Sequence, residues 1–251
     1  MRLGVFDLVR AAVRSFYIQA VWSYERMLSL GFCFALIPFA RKMLKSAKER
    51  RLFLKRNLTF FNTNPYMAGW LIGAVMRLEE EALTAEKPAF RQHERFKSRM
   101  SQSLAAIGDQ LFWERLRPLT ALLGWMVAMY WGVAGAVVFL VTYNIPHLFM
   151  RFKGVVTGYR LGFDITKEIS LKKLHKRSHD LLRVGALATG LAFVVAARSA
   201  IVDDPIQIAG FVGGIVGMFI LLKIKIPVPV ALTVLLIACA VFGGLLGHAE
   251  M

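Results

Sequence analysis

Long apolar runs separated by short basic clusters constrain this chain more than any other feature. Residues 119–143, LTALLGWMVAMYWGVAGAVVFLVTY, are long enough to cross a bilayer, which takes about 20 helical residues. Residues 184–202, 206–222 and 228–247 form three further runs, with Arg198 near enough to one end to snorkel. Hydrophobic residues make up 57% of 251 positions, above the ~45–50% of soluble domains. The excess predicts an all-α, polytopic membrane protein. Small residues in GALATG and GFVGGIVG suit close helix packing.

Charge sharpens the topology. The formal net charge is +16, and its clusters lie at 41–56, 87–99, 151–153, 172–183 and 223–225. Basic clusters that alternate with apolar runs set orientation, on the cytoplasmic side, and argue against a nucleic-acid-binding surface. The chain must then leave and return, or never cross, between 56 and 87, and leave and return between 99 and 151. The apolar runs at 27–40, 66–78 and 103–113 are too short to cross alone. FFNTNPYMAGWLIGAVM is expected as a re-entrant hairpin or broken helix. SLAAIGDQLFWERLRP is expected to enter, and 119–143 to come back. The acidic 203–205 loop falls on the outer side.

Polar residues inside these weak runs are the candidate binding groups. Pro65 cannot donate a backbone hydrogen bond and disfavours helix at Asn64. The side chains of Asn62 and Asn64 offer donors and acceptors suited to a neutral polyhydroxyl ligand; the alternative is an Asx turn where a helix starts. Trp22 and Glu25 share a face if helical, an aromatic plate beside a carboxylate, as a pyranose would need. The alternative is a Glu25–Arg26 surface pair with Trp22 as an interfacial anchor. Gly108 permits a bend before Asp109, which either serves the site or caps a helix. Asp109, Glu114, Arg115 and Arg117 cannot all face lipid.

Other features are blander. Cys33 and Cys239 read as buried free thiols. His175 and His179 stand four apart among lysines and arginines that repel a metal ion, so no metal site is expected. EEE at 79–81 reads as a helix end facing water. Arg2, Arg10 and Arg14 can lie apart from Leu3, Phe6, Val9 and Val13 in an amphipathic N-terminal helix that rests on lipid or on protein. No P-loop, dinucleotide fingerprint or nucleophile elbow occurs, so neither enzyme chemistry nor a cofactor is expected.

WSYERMLSLGFCFALIP, FFNTNPYMAG, IGDQLFWERLRP and GYRLGFDI occur here in that order. In this the chain resembles the membrane subunit IID of the mannose-family sugar phosphotransferase system (PTS), from about residue 14 to 170. The resemblance implies one integral-membrane domain over 1–251: an amphipathic segment 1–20, a motif-bearing region 21–118, and main transmembrane helices 119–251. It also implies a multi-pass protein of the bacterial inner membrane, paired with subunit IIC as a trimer of heterodimers. Sugar, a hexose or amino sugar, would pass through the pair and be phosphorylated by IIB, which is recharged by IIA. Trp22, Glu25, Asn62, Asn64 and Asp109 would be substrate-binding, and IID itself would carry no phosphorylated histidine.

One motif departs from the family. The glycine-rich approach GPLAGxGDP stands here as SQSLAAIGDQ, residues 101–110. A stiffer, less sharply turned backbone is expected there. It motivates an alternative: a divergent IID-like protein with an assembly or regulatory role and no transport.

Overall fold

The computed structural model describes residues 3–86 and 89–168, with scattered positions from 180 to 238. Among the described residues the regular structure is helical, with no strand and two isolated bridges. This agrees with the all-α expectation. The helices are α1 (Val5–Arg14), α2 (Ser29–Met43), α3 (Ala47–Asn57), α4 (Ala68–Ala82), α5 (Phe90–Gly108), α6 (Arg117–Trp131), α7 (Ala134–Leu161) and the short α8 (Ile165–Glu168). A π-helical stretch, Asp109–Leu116, joins α5 to α6 without a break. Residues 190–251 form a second unit, whose described positions are almost all helical. More than half of each of the runs at 184–202, 206–222 and 228–247 lies outside the described residues, and the 203–205 loop, His175, His179 and Cys239 lie wholly outside them.

Local chemistry sets the helix starts. In SAKE, the Ser46 hydroxyl accepts from Glu49 N at 3.1 Å, and Glu49 Oε2 accepts from Ser46 N at 3.0 Å. This reciprocal cap begins α3 in an otherwise highly charged segment. Asp7 accepts from Gly4 N at 2.9 Å and pairs with Lys42, tying the start of α1 to the end of α2.

Helix α4 is the centre of the first unit. Every residue from Met67 to Met76 is buried, as suits a helix apolar all round. It lies alongside α7, with two GxxxG pairs interlocked. A Cβ on Gly73 would stand 2.1 Å from Val155 O, and one on Gly158 would stand 2.1 Å from Trp70 O. Only bare backbone permits that approach. Opposite this seam α7 exposes Val137, Val141, Ile145, Phe149, Phe152 and Val156, four or three residues apart. Among the described residues, the α7 region is the one helix long and apolar enough to cross a membrane.

Several expectations change here. Residues 119–143 are not one helix: Gly132, at φ 52°, turns the chain between α6 and α7. The outgoing arm therefore runs through α5, the π stretch and α6, and the return arm is α7. Arg151, read from the sequence only as part of a cytoplasmic basic cluster, is buried. Glu79 does not face water either; it is buried and paired with Arg56 at 2.8 Å. The N-terminal helix packs on protein through Leu8, Ala11 and Ala12, while Phe6, Val9 and Val13 point outward. Its small residues meet α2 and α7 more closely than the bulky stripe could. Cys33 is a free, buried thiol, as expected.

The α4–α7 seam yields a direct test. Gly73→Val should lower the melting temperature of the detergent-solubilised protein sharply, since overpacking costs about 1–3 kcal/mol or more. Gly185→Ala, where an added Cβ meets nothing within 4 Å, should leave it unchanged.

Candidate functional site

The three sequence motifs singled out above converge. Ser23 and Met27 close a tight turn, with Met27 N donating to Ser23 O at 2.8 Å. This replaces the helix expected for Trp22 and Glu25. The turn is pinned to the second motif: Leu28 N donates to Phe61 O at 2.9 Å, and Phe61 N to Arg26 O at 3.4 Å. Met27 adopts φ 52°, which a side-chain-bearing residue holds only under constraint. The turn presents Trp22, Tyr24 and Glu25 outward, with Trp22 and Tyr24 edge to face at 4.5 Å. Glu25 lies 3.5 Å from Arg26, and both are exposed. Asn62 is exposed as well and makes no side-chain hydrogen bond among the described residues.

Asn64 differs from Asn62. It is buried, its Oδ1 accepts from Tyr66 N at 3.0 Å, and its backbone oxygen accepts from Met67 N and Ala68 N. This Asx turn launches α4 past Pro65. The remaining amide end donates to Asp109 Oδ1 at 2.9 Å. Asn64 thus joins the second motif to the third, with both ends of its amide engaged by protein groups. Asp109 is not an N-cap: its backbone (φ −63°, ψ −48°) is helical, at the entry to the π stretch. Gly108 does not bend the chain either. A Cβ there would stand 2.4 Å from Asn64 Cβ, so glycine is needed for contact with Asn64. π-Helical turns are rare and gather at functional sites.

Behind Asn64 lies a group that sequence reasoning missed. Tyr66 stacks on His147 at 4.4 Å, and its hydroxyl meets that of Tyr143 at 3.1 Å. Arg151 is held between Phe16 and Tyr66, at 4.8 and 5.2 Å from the ring centroids, and donates to Ser15 O at 2.8 Å. His147 Nδ1, Arg151 Nε and Thr63 Oγ1 are buried and have no hydrogen-bond partner among the described residues. Tyr143, His147 and Arg151 recur every four residues on α7, a polar stripe that was readable as such. The inner groups are buried or half-buried, whereas Trp22, Glu25 and Asn62 are each exposed.

Lys97 braces the segment between α3 and Asn62. It is only 3% exposed, and its Nζ donates to Asn57 O at 3.1 Å and Thr59 Oγ1 at 2.9 Å. Phe32 and Phe61 lie near the ammonium at 5.3 and 5.9 Å. Burial pushes its pKa down to about 8, against an opposing pull from Cys33, Glu94 and Glu79.

Two outcomes follow. Asn64→Ala and Asp109→Ala should each destabilise the protein by about 1–3 kcal/mol, and the double variant should cost clearly less than the sum in thermal unfolding. For Lys97, the folded pKa of about 8 lies below the ordinary 10.5. The cost of burying its charge is therefore fully present below pH 8 and relieved as pH rises toward 10.5, because the unfolded chain then binds more protons. Stability measured from pH 7 to 10.5 should gain on the order of 2 kcal/mol from this group, and Lys97→Met should flatten that rise.

Known proteins resemble this chain in both sequence and fold. The sequence model of the "PTS system mannose/fructose/sorbose family IID component" matches residues 3–211. The mannose-specific EIID component of Escherichia coli (strain K12) is 34% identical over 190 residues, 75% of this chain and 67% of that protein. The sorbose-specific EIID component of Lacticaseibacillus casei is 31% identical over 185 residues, 74% of this chain and 66% of that one. The chain spans about two thirds of the length of these relatives. A cryo-EM structure of the mannose transporter ManYZ with microcin E492 superposes with TM-score 0.62 at 31% identity, covering 76% of this chain and 70% of that chain. A second solved structure, described as a membrane protein, gives TM-score 0.67 at the same identity and coverage. By family match and by relatives above 30% identity, this membrane protein belongs to the mannose/fructose/sorbose family of phosphotransferase-system IID components.

Proposed function

We propose that the chain supplies one wall of a sugar-translocation path and that subunit IIC supplies the other. The observation that carries this reading is the convergence of three distant motifs on one place. They leave an aromatic ring, a carboxylate and an amide (Trp22, Glu25, Asn62) facing outward. Such a wall recognises a sugar, the ring covering its apolar face and the polar groups its hydroxyls. Exposed as it is, it encloses nothing alone, so the site is completed by another chain. Asn64 and Asp109 act behind it as positioning residues, holding the backbone that bears Asn62.

In this reading the protein is a multi-pass component of the bacterial inner membrane. The α6–α7 hairpin crosses it, with Tyr130 and Trp131 at the tip, where amphipathic rings anchor at an interface. IIC and IID pair as a trimer of heterodimers. IIB phosphorylates the emerging hexose or amino sugar and IIA recharges IIB, so the chain itself acts in transport and not in phosphoryl transfer.

One observation favours a second reading. Residues 101–110 are helical throughout, running from α5 into the π stretch, where the family pattern places glycines and a proline. A stiffened arm suits an assembly or regulatory role without flux. Uptake separates the two. In cells making this chain with its IIC, IIB and IIA, Glu25→Gln and Asn62→Ala should each lower sugar uptake about tenfold or more while the membrane complex still assembles. Unchanged uptake would remove the outer wall from the path, and no uptake by the unmodified complex would favour the regulatory reading.

A further inference from the structure

A second polar region lies along α3 and α5, apart from the candidate sugar wall, and neither the family membership nor the proposed transport accounts for it. Two cavities meet there at Lys97. One, of about 180 Å³, reaches Arg56, Glu79 and His93; the other, about 590 Å³ and more open, reaches Thr59, Ser98 and the arginines of α5. Arg91, Arg95 and Arg99 stand four residues apart on one exposed face, and none has an ion-pair partner among the described residues. Like charges at this spacing weaken a helix. Glu94 is the acidic group on the rim.

Lys97 makes the region more than a solvated basic face. Its ammonium is buried, yet both of its hydrogen-bond acceptors are neutral. Glu79, the nearest buried carboxylate of this region, is committed to Arg56. A third N–H of Lys97 has no acceptor among the described residues. A buried cation without a direct counter-ion is costly, and the depressed pKa of Lys97 reflects that cost. His93, which lines the smaller cavity, has its Nδ1 buried and without a hydrogen-bond partner among the described residues. The arrangement has donors and positive charge in excess, and what it lacks is an anion with several acceptor oxygens.

We propose that the cleft formed by Lys97, Arg91, Arg95 and Arg99 binds a phosphoryl group, presented either by a small phosphorylated solute or by the headgroup of an anionic phospholipid. Guanidinium groups fit phosphate oxygens by paired hydrogen bonds. Lys97 would supply the inner contact and the α5 arginines the outer ones.

Two binding measurements on the purified full chain test this. Equilibrium dialysis in lipid-free detergent uses radiolabelled inorganic phosphate. Native mass spectrometry after release from nanodiscs compares phosphatidylglycerol with phosphatidylcholine. Phosphate bound in detergent identifies a soluble ligand. Selective retention of phosphatidylglycerol, without phosphate binding, identifies a headgroup. In either case Arg95→Gln/Arg99→Gln should weaken binding about tenfold or more, and Arg95→Lys/Arg99→Lys should recover part of it. Both arginines are exposed, so the double variant should keep its melting temperature. Binding of neither probe, or binding undiminished in the glutamine variant, overturns the proposal. Sugar uptake reads out the outer wall separately, so failure here leaves the transport reading standing.

Discussion

The approach of α4 and α7 backbones, glycine against carbonyl, is the contact on which the rest of the first unit depends. Gly69 and Gly73 receive Arg151 and Val155 of α7, while Gly154 and Gly158 receive Trp70 and Ala74 of α4. The two helices run in the same direction along this seam. The register that sets Gly69 beside Arg151 also sets Tyr66, one turn earlier, beside His147 and Tyr143. A side chain at any of the four glycines would part the helices and dissolve the buried polar group between them.

From that seam the candidate site is built outward in layers. Tyr66, Tyr143, His147 and Arg151 form a buried polar and aromatic base. Asn64 stands on it, capping α4 and bonding Asp109. Asn62 and the Trp22–Glu25 turn form the exposed surface, pinned through Phe61. Each layer limits the freedom of the next. The outer groups are therefore held in place without being enclosed. Lys97 serves the same loop from the opposite end, through Asn57 and Thr59. It ties α5 to the segment that leads from α3 to Asn62.

Much of this was legible before any coordinates. Apolar runs and basic clusters announced helices and a membrane protein. The Asn-Thr-Asn-Pro stretch announced an interrupted helix start, and the ordered motifs announced the family. What was misread shares one cause. Residues 119–143 read as a single span because Gly132 is one glycine among several, and only its positive φ makes it a turn. Asn62 and Asn64 read alike, yet one is exposed and the other is buried with both ends of its amide bonded to protein. Gly108 read as a hinge, whereas its role is to admit Asn64. Arg151 read as one of a short basic cluster that sets orientation, because Lys153 follows two residues later, whereas its guanidinium lies between two aromatic rings.

The sequence alone therefore determined the helical class, the membrane character and the family, because hydropathy, charge spacing and motif order are properties of neighbours along the chain. Tertiary structure decided which of the polar residues is a strut and which is a surface. It also decided where the hairpin turns and that Tyr143, His147 and Arg151 belong with Tyr66. Those assignments depend on residues tens of positions apart meeting at a few ångströms. That distance is set by helix packing and register, which no local pattern records.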